Sequence, residues 1–101
     1  MENCQDLNAV RENIDRIDKQ IVLLIAERGT YVKQAARFKK DADAVKAPQR
    51  VEQVIAKVRR LAEELGANSD LVETVYRNMI NGFIQQELDE HTAANNQNAG
   101  N

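Results

Sequence analysis

A long apolar stripe in the first third of the chain limits the folds open to this protein. Its members follow one another by alternating steps of three and four positions, which is the repeat of one face of an α-helix. The stripe consists of Leu7, Val10, Ile14, Ile17, Ile21, Leu24, Tyr31, Ala35 and Phe38, with Arg28 in one of its slots. Gly29 is the only glycine in this stretch, which contains no proline. The sequence therefore predicts one helix from about Asp6 to Lys40.

Such a helix is too long for a compact monomer of 101 residues. At about 1.5 Å per residue it would extend roughly 50 Å. A compact domain of this size has a radius of gyration of roughly 13 Å. We therefore expect another element to cover the overhanging part of the helix.

Two further helices are predicted, and together the three place the chain in the all-α class. Residues 40–47 form a polar loop, Pro48 suits the first turn of a second helix, and Gly66 is placed to end it. Asp70 and Glu73 have the spacing of a capping box at the start of a third helix, which fades near Glu90. We expect one helical domain over residues 1–90 and a disordered tail over residues 91–101.

Composition supports this class and excludes several functions. Aromatic residues, which are enriched in sheets, make up 4% of the chain. The net charge of −2 provides no basic excess for nucleic acid. One cysteine excludes an internal disulfide and a cysteine-rich zinc site. With no apolar run near the roughly 18 residues of a membrane span and no signal-peptide pattern, we expect a cytoplasmic protein without membrane, metal or cofactor.

Two cations stand out along the first helix. Arg28 occupies a slot of the apolar stripe, where an unpaired charge is costly. Lys39 lies eleven residues later, so a continuous helix would bring both onto one face roughly 16 Å apart. Each also has a purely structural explanation. Arg28 can form a buried salt bridge or extend its head to solvent, and Lys39 can sit favourably at a helix end.

Two more charges lie where a ligand site would need them. Arg50 is in the first turn of the second helix, where a cation opposes the helix dipole but adds to an anion site. Glu87 extends the apolar stripe of the third helix by one step, so it is either a buried donor when protonated or the end of a buried face. An exposed arginine is the structural alternative for Arg50.

Arg11 is too distant to serve the same site within one chain. It precedes Arg28 by 17 residues, which is about 25 Å along a helix. It can reach a ligand held by an antiparallel neighbour, which would also cover the long helix. Cations that converge between helices favour a small organic dianion. The sequence has no P-loop, dinucleotide turn or nucleophile–base pair that would indicate another chemistry.

The sequence resembles the all-helical bacterial chorismate mutases and the closely related isochorismate-pyruvate lyases of salicylate synthesis. The resemblance covers about residues 6–90. It rests on LNAVRENIDRID at 7–18, LIAER at 24–28, ARFK at 36–39 and APQRV at 47–51.

The resemblance implies an intertwined homodimer that rearranges chorismate to prephenate, a step in aromatic amino-acid biosynthesis. Arg11 of one chain and Arg28 of the other would hold the two substrate carboxylates. Lys39 would donate to the ether oxygen of the substrate, and Arg50 would lie near a carboxylate.

Two positions depart from the usual pattern of these mutases. Glu87 stands where most members have a glutamine opposite Lys39, and only a protonated Glu87 can donate there, which predicts an acidic pH optimum. Val51 replaces a glutamate that accepts from the substrate hydroxyl, and Glu52 falls one residue late. Because the lyases also have an apolar residue there, isochorismate-pyruvate lyase is the alternative function. The third hypothesis is a non-catalytic helical dimer that binds a diacid or a protein.

Overall fold

The computed structural model describes the backbone of residues 3–99 and the side chains of residues 3–90 and Thr92. Within this part of the chain all regular structure is helical. The helices are α1 (Leu7–Ala36), α2 (Ala42–Lys46), α3 (Pro48–Leu65) and α4 (Ser69–Ala99). The predicted all-α class, with one very long helix and two others, is confirmed. The short helix α2 was not predicted.

Helix α1 begins where the sequence predicts, but it ends earlier than predicted. The side chain of Asp6 caps it by accepting a 2.8 Å hydrogen bond from the Ala9 N–H. At the other end the N–H groups of Phe38 and Lys39 donate to carbonyls three residues back, so the last turn tightens. Asp41 then caps α2 by accepting from the Ala44 N–H. The predicted extension of the first helix to Lys40 is therefore wrong.

Helix α3 has the predicted boundaries and different capping at its two ends. Pro48 occupies its first turn, after Ala47, whose backbone has the left-handed values φ 37° and ψ 61° and provides no side-chain cap. Gly66 ends the helix at φ 78°. There the Ala67 N–H donates to the Ala62 carbonyl at 2.8 Å. Glycine is suited to this end because it adopts a positive φ without a steric penalty.

Helix α4 starts with a different cap from the one predicted. The side chain of Asn68 accepts a 3.0 Å hydrogen bond from the Leu71 N–H, so Asp70 lies inside the first turn and is not the cap. The helix runs on to Ala99 and thus includes the backbone of residues 91–99, which the sequence assigns to a disordered tail. The domain boundary at residue 90 stays a prediction.

The chain divides into two compact units, residues 1–34 and 35–101. The second unit has a small core to which each of its helices contributes. α2 packs on α4, and α3 packs on α4 over a longer contact. The buried apolar side chains are Val45 from α2, Ile55, Val58 and Ala62 from α3, and Ile80 from α4.

In the first unit, α1 leaves its apolar stripe exposed. Leu24 is 63% exposed, Ile14 is 50% exposed, and the other large members are exposed to a similar degree. An apolar stripe of this length in water is unfavourable, because burial of apolar surface is worth about 25 cal/mol per Å². Among the residues that the structure describes, the apolar face of α1 is thus largely exposed.

Candidate functional site

The second unit brings Lys39 and Glu87 together from positions 48 residues apart. Lys39 follows the end of α1, and Glu87 lies on α4, two turns beyond the core residue Ile80. Because seven residues make about two helical turns, Glu87 faces the same side as Ile80. The Lys39 Nζ donates to the Glu87 Oε2 at 3.4 Å.

Burial distinguishes this pair from the other ion pairs. Glu87 is 7% exposed. Among the side chains that the structure describes, it is the buried charged residue. The Lys39 side chain retains 25% exposure, so one end of the pair remains open to solvent. A buried carboxylate needs a partner, and here that partner is a cation at a distance longer than the 2.7–2.9 Å of a tight charged pair. The arrangement provides an ammonium donor beside a carboxyl group.

The first turn of α3 carries Arg50, Val51 and Glu52. Arg50 is exposed and Val51 is half-buried. Glu52 accepts two hydrogen bonds from Arg77 on α4, at 2.9 Å from Nη1 and 2.8 Å from Nη2. These bonds lower the pKa of the Glu52 carboxyl. Arg77 thus engages both oxygens of Glu52, which follows directly after the position where the resemblance leads us to expect a glutamate.

A network of five charged residues joins α3 to α4. Besides Glu52, Arg77 contacts Glu73, its neighbour four residues back, with Nε at 2.7 Å. On the other side Glu73 accepts from Arg59 at 2.8 Å, and Arg59 also reaches Asp70 at 3.0 Å. The hydrogen bonds from Arg77 and then Arg59 lower the pKa of Glu73. This network was not predicted from the sequence, although the spacing of Glu73 and Arg77 indicates an ion pair on one helix.

Arg11 and Arg28 both lie on α1, where Arg11 is exposed and Arg28 is half-buried. Their separation of 17 residues corresponds to about 25 Å of helix, so a small ligand cannot contact both within one chain. α1 ends at Ala36, before Lys39, so the continuous helix from which the common face of Arg28 and Lys39 was expected is not present.

Two further features bear on the expected absence of metal and membrane contacts. The residues that the structure describes contain no group of three or more side chains that could hold a metal ion. In the same residues, no helix combines the length and the apolar character needed to cross a bilayer.

Comparison with known proteins shows to which family the sequence belongs. The sequence pattern of the family described as chorismate mutase type II matches residues 10–88. The chain belongs to this family. The matched range contains Arg11, Arg28, Lys39, Arg50 and Glu87. The resemblance drawn from the sequence is therefore confirmed, and with it the assignment to an enzyme family.

Three known proteins are similar to this chain over most of its length. It is 39% identical to an isochorismate pyruvate lyase of Pseudomonas aeruginosa over 86% of each chain. It is 27% identical to a chorismate mutase of Methanocaldococcus jannaschii over 91% of this chain and 96% of that protein. A bifunctional chorismate mutase/prephenate dehydratase of Aquifex aeolicus is 28% identical over 82% of this chain, which spans 24% of that longer protein.

Proposed function

We propose that this protein is a chorismate mutase that rearranges chorismate to prephenate without metal or cofactor. The observation that carries the proposal is the pair of Lys39 and the buried Glu87, 3.4 Å apart. It joins two residues from distant parts of the chain in the way this reaction needs. Membership of the chorismate mutase family supports the same conclusion.

The chemistry requires positioning and charge stabilisation and needs no nucleophile. The substrate must be held in a compact conformer in which the bond-forming carbons are close. As the C–O bond breaks, negative charge builds on the ether oxygen, and preorganised donors lower the barrier by stabilising it. We assign one donor to the ammonium of Lys39 and the other to a protonated Glu87, with Arg50 near a substrate carboxylate. Val51 lines the pocket as an apolar contact.

We further propose that the active form is a cytoplasmic homodimer in which α1 of one chain pairs antiparallel with α1 of the other. The exposed apolar stripe of α1 supports this, because a second copy offers a matching stripe of equal length. In such a dimer, Arg11 of one protomer and Arg28 of its partner would hold the two carboxylates of one substrate. A dianionic substrate, rather than nucleic acid or a membrane, is the ligand that such cations favour.

Mixing two inactive variants tests the shared site. Arg11→Ala and Arg28→Ala should each abolish activity and leave the dimer intact. In a heterodimer of the two, one site keeps both arginines and the other lacks both. If chains exchange freely, half of the dimers are mixed and half of their sites are intact, so unfolding and refolding an equal mixture should restore about one quarter of the wild-type rate.

The rate should be measured beside the size of each species by light scattering. Either variant refolded alone is the control and should stay inactive. If each site were built from one chain, the refolded mixture would be as inactive as the two variants alone. If Arg28→Ala unfolds the protein, the role of Arg28 is structural.

Isochorismate-pyruvate lyase is the second candidate, and it too rests on a specific observation. The first turn of α3 offers the half-buried Val51 in place of a carboxylate, and Arg77 occupies both oxygens of Glu52. A substrate with its hydroxyl on a different ring carbon does not need that contact. The relative named isochorismate pyruvate lyase supports this candidate as well.

Separate assays of the two substrates decide between these functions. Purified protein is given chorismate or isochorismate, and prephenate and salicylate are followed by chromatography. Prephenate as the dominant product is the expected result, with kcat/KM for chorismate at least about tenfold above that for isochorismate, a margin of about 1.4 kcal/mol. Salicylate as the dominant product would establish the lyase. No turnover of either substrate would favour a dimer that only binds a diacid or a protein.

A further inference from the structure

The start of α3 has little to hold it in place locally. Ala47, the residue before it, donates its N–H to the Asp43 carbonyl of α2 at 3.0 Å. Ala47 has a left-handed backbone, which a residue with a Cβ adopts at some cost, and no side chain caps the first turn of α3. The first backbone hydrogen bond is from the Val51 N–H to the Ala47 carbonyl at 3.1 Å. Arg50, which lies within this turn, therefore depends on contacts from elsewhere for a defined position.

Those contacts come from Arg77 on α4. Its guanidinium binds the Glu52 carboxylate with two parallel hydrogen bonds, a geometry that fixes direction as well as distance. Its Nε also binds Glu73 one turn earlier on the same helix, a separate contact that does not reach α3's first turn. The bidentate pair thus links the first turn of α3 directly to α4.

The remainder of the network acts farther along α3. Arg59 lies two turns after Glu52 on α3 and binds Ser69, Asp70 and Glu73 at the start of α4. It joins the two helices in that region but does not touch the first turn. The Arg77–Glu52 pair is therefore the network's connection to the residues near Arg50.

We infer that Arg77 is a positioning residue, which acts through Glu52 to hold Arg50 and Val51 in the geometry that receives the substrate. The inference rests on the proposed function for the identity of the ligand. It explains why Glu52, adjacent to the position where a carboxylate is missing, contacts α4 with both oxygens. Because the Arg77 guanidinium is bound to Glu52 and Glu73, we assign it no contact with the reacting atoms, and its loss should affect binding more than the chemical step.

A matched pair of variants tests this, since each removes one carboxylate that Arg77 binds. Glu52→Ala disconnects the first turn of α3. Glu73→Ala removes contacts to both Arg59 and Arg77 but leaves the Arg77–Glu52 pair in place. In Glu52→Ala we expect KM to rise about threefold to fivefold with kcat within twofold, the size of effect for one exposed but bidentate pair. Glu73→Ala should leave KM within twofold.

Amide exchange of Val51, followed by NMR in the full-length protein, provides a readout that does not depend on turnover. It should accelerate about threefold to fivefold in Glu52→Ala and stay within twofold in Glu73→Ala, because only the first variant loosens the turn. Thermal unfolding of both variants gives the general loss of stability for comparison.

Equal increases of KM in the two variants would assign the network a general stabilising role and overturn the inference. So would unchanged exchange of Val51 in Glu52→Ala. If the wild-type protein turns over neither chorismate nor isochorismate, the proposed function fails. The exchange comparison then still decides whether Arg77 positions the turn.

Discussion

Replacing Lys39 by alanine is expected to lower kcat/KM for chorismate by about 10²–10³, the loss typical of removing one preorganised donor to a developing negative charge. The Lys39 side chain lies beside the buried Glu87 and keeps 25% exposure, so it remains accessible to a ligand. Because the donor matters most when charge has built up on the ether oxygen, kcat should fall more than KM rises. Steady-state kinetics at saturating chorismate measures the effect.

Lys40→Ala is the matched control, since Lys40 is the adjacent residue and is exposed. It removes the same charge from the chain and should keep kcat/KM within twofold. Lys39→Ala also leaves the Glu87 carboxylate buried without its cation, which can destabilise the fold. The double variant Lys39→Ala/Glu87→Gln removes that charge and should be impaired to a similar degree when it is compared with Glu87→Gln alone. A double variant as active as Glu87→Gln would exclude Lys39 as a donor.

Replacing Glu87 by glutamine is expected to change the pH dependence of the reaction. An ionised Glu87 repels the charge that develops on the ether oxygen, and a protonated one donates to it. The wild-type rate should therefore be highest at acidic pH and fall as the pH rises. An amide donates at every pH, so Glu87→Gln should be nearly level from pH 5 to 8.

The comparison at alkaline pH is the most sensitive one, because the amide of Glu87→Gln keeps its N–H donor there. At pH 8 the glutamine variant should be faster than the wild type by about tenfold or more. Glu90→Gln, an exposed neighbour on α4, should keep the wild-type profile. A wild-type rate that is flat from pH 5 to 8 would contradict the role of Glu87.

The sequence by itself determined the helical class and three of the helix boundaries. The three-and-four spacing of apolar residues and the placing of Pro48 and Gly66 depend on neighbours within a few positions. For this reason the start of α1 at Leu7 and both ends of α3 agree with the expectation. The motif around Arg28 and Lys39 identified the chorismate mutase family for the same reason, because it is a pattern in the linear order of residues.

Only the tertiary structure decided where α1 ends and which charges meet. Periodicity alone would carry the helix to Lys40, but α1 stops at Ala36, and Asp41 caps the separate helix α2 that follows. The sequence raised Glu87 as a possible buried carboxyl. That it is buried against Lys39, and that Arg77 takes both oxygens of Glu52, depends on how α2, α3 and α4 pack. The partner of a charged side chain is set by distance through space, and residues 25 or 48 positions apart leave no local pattern that reveals it.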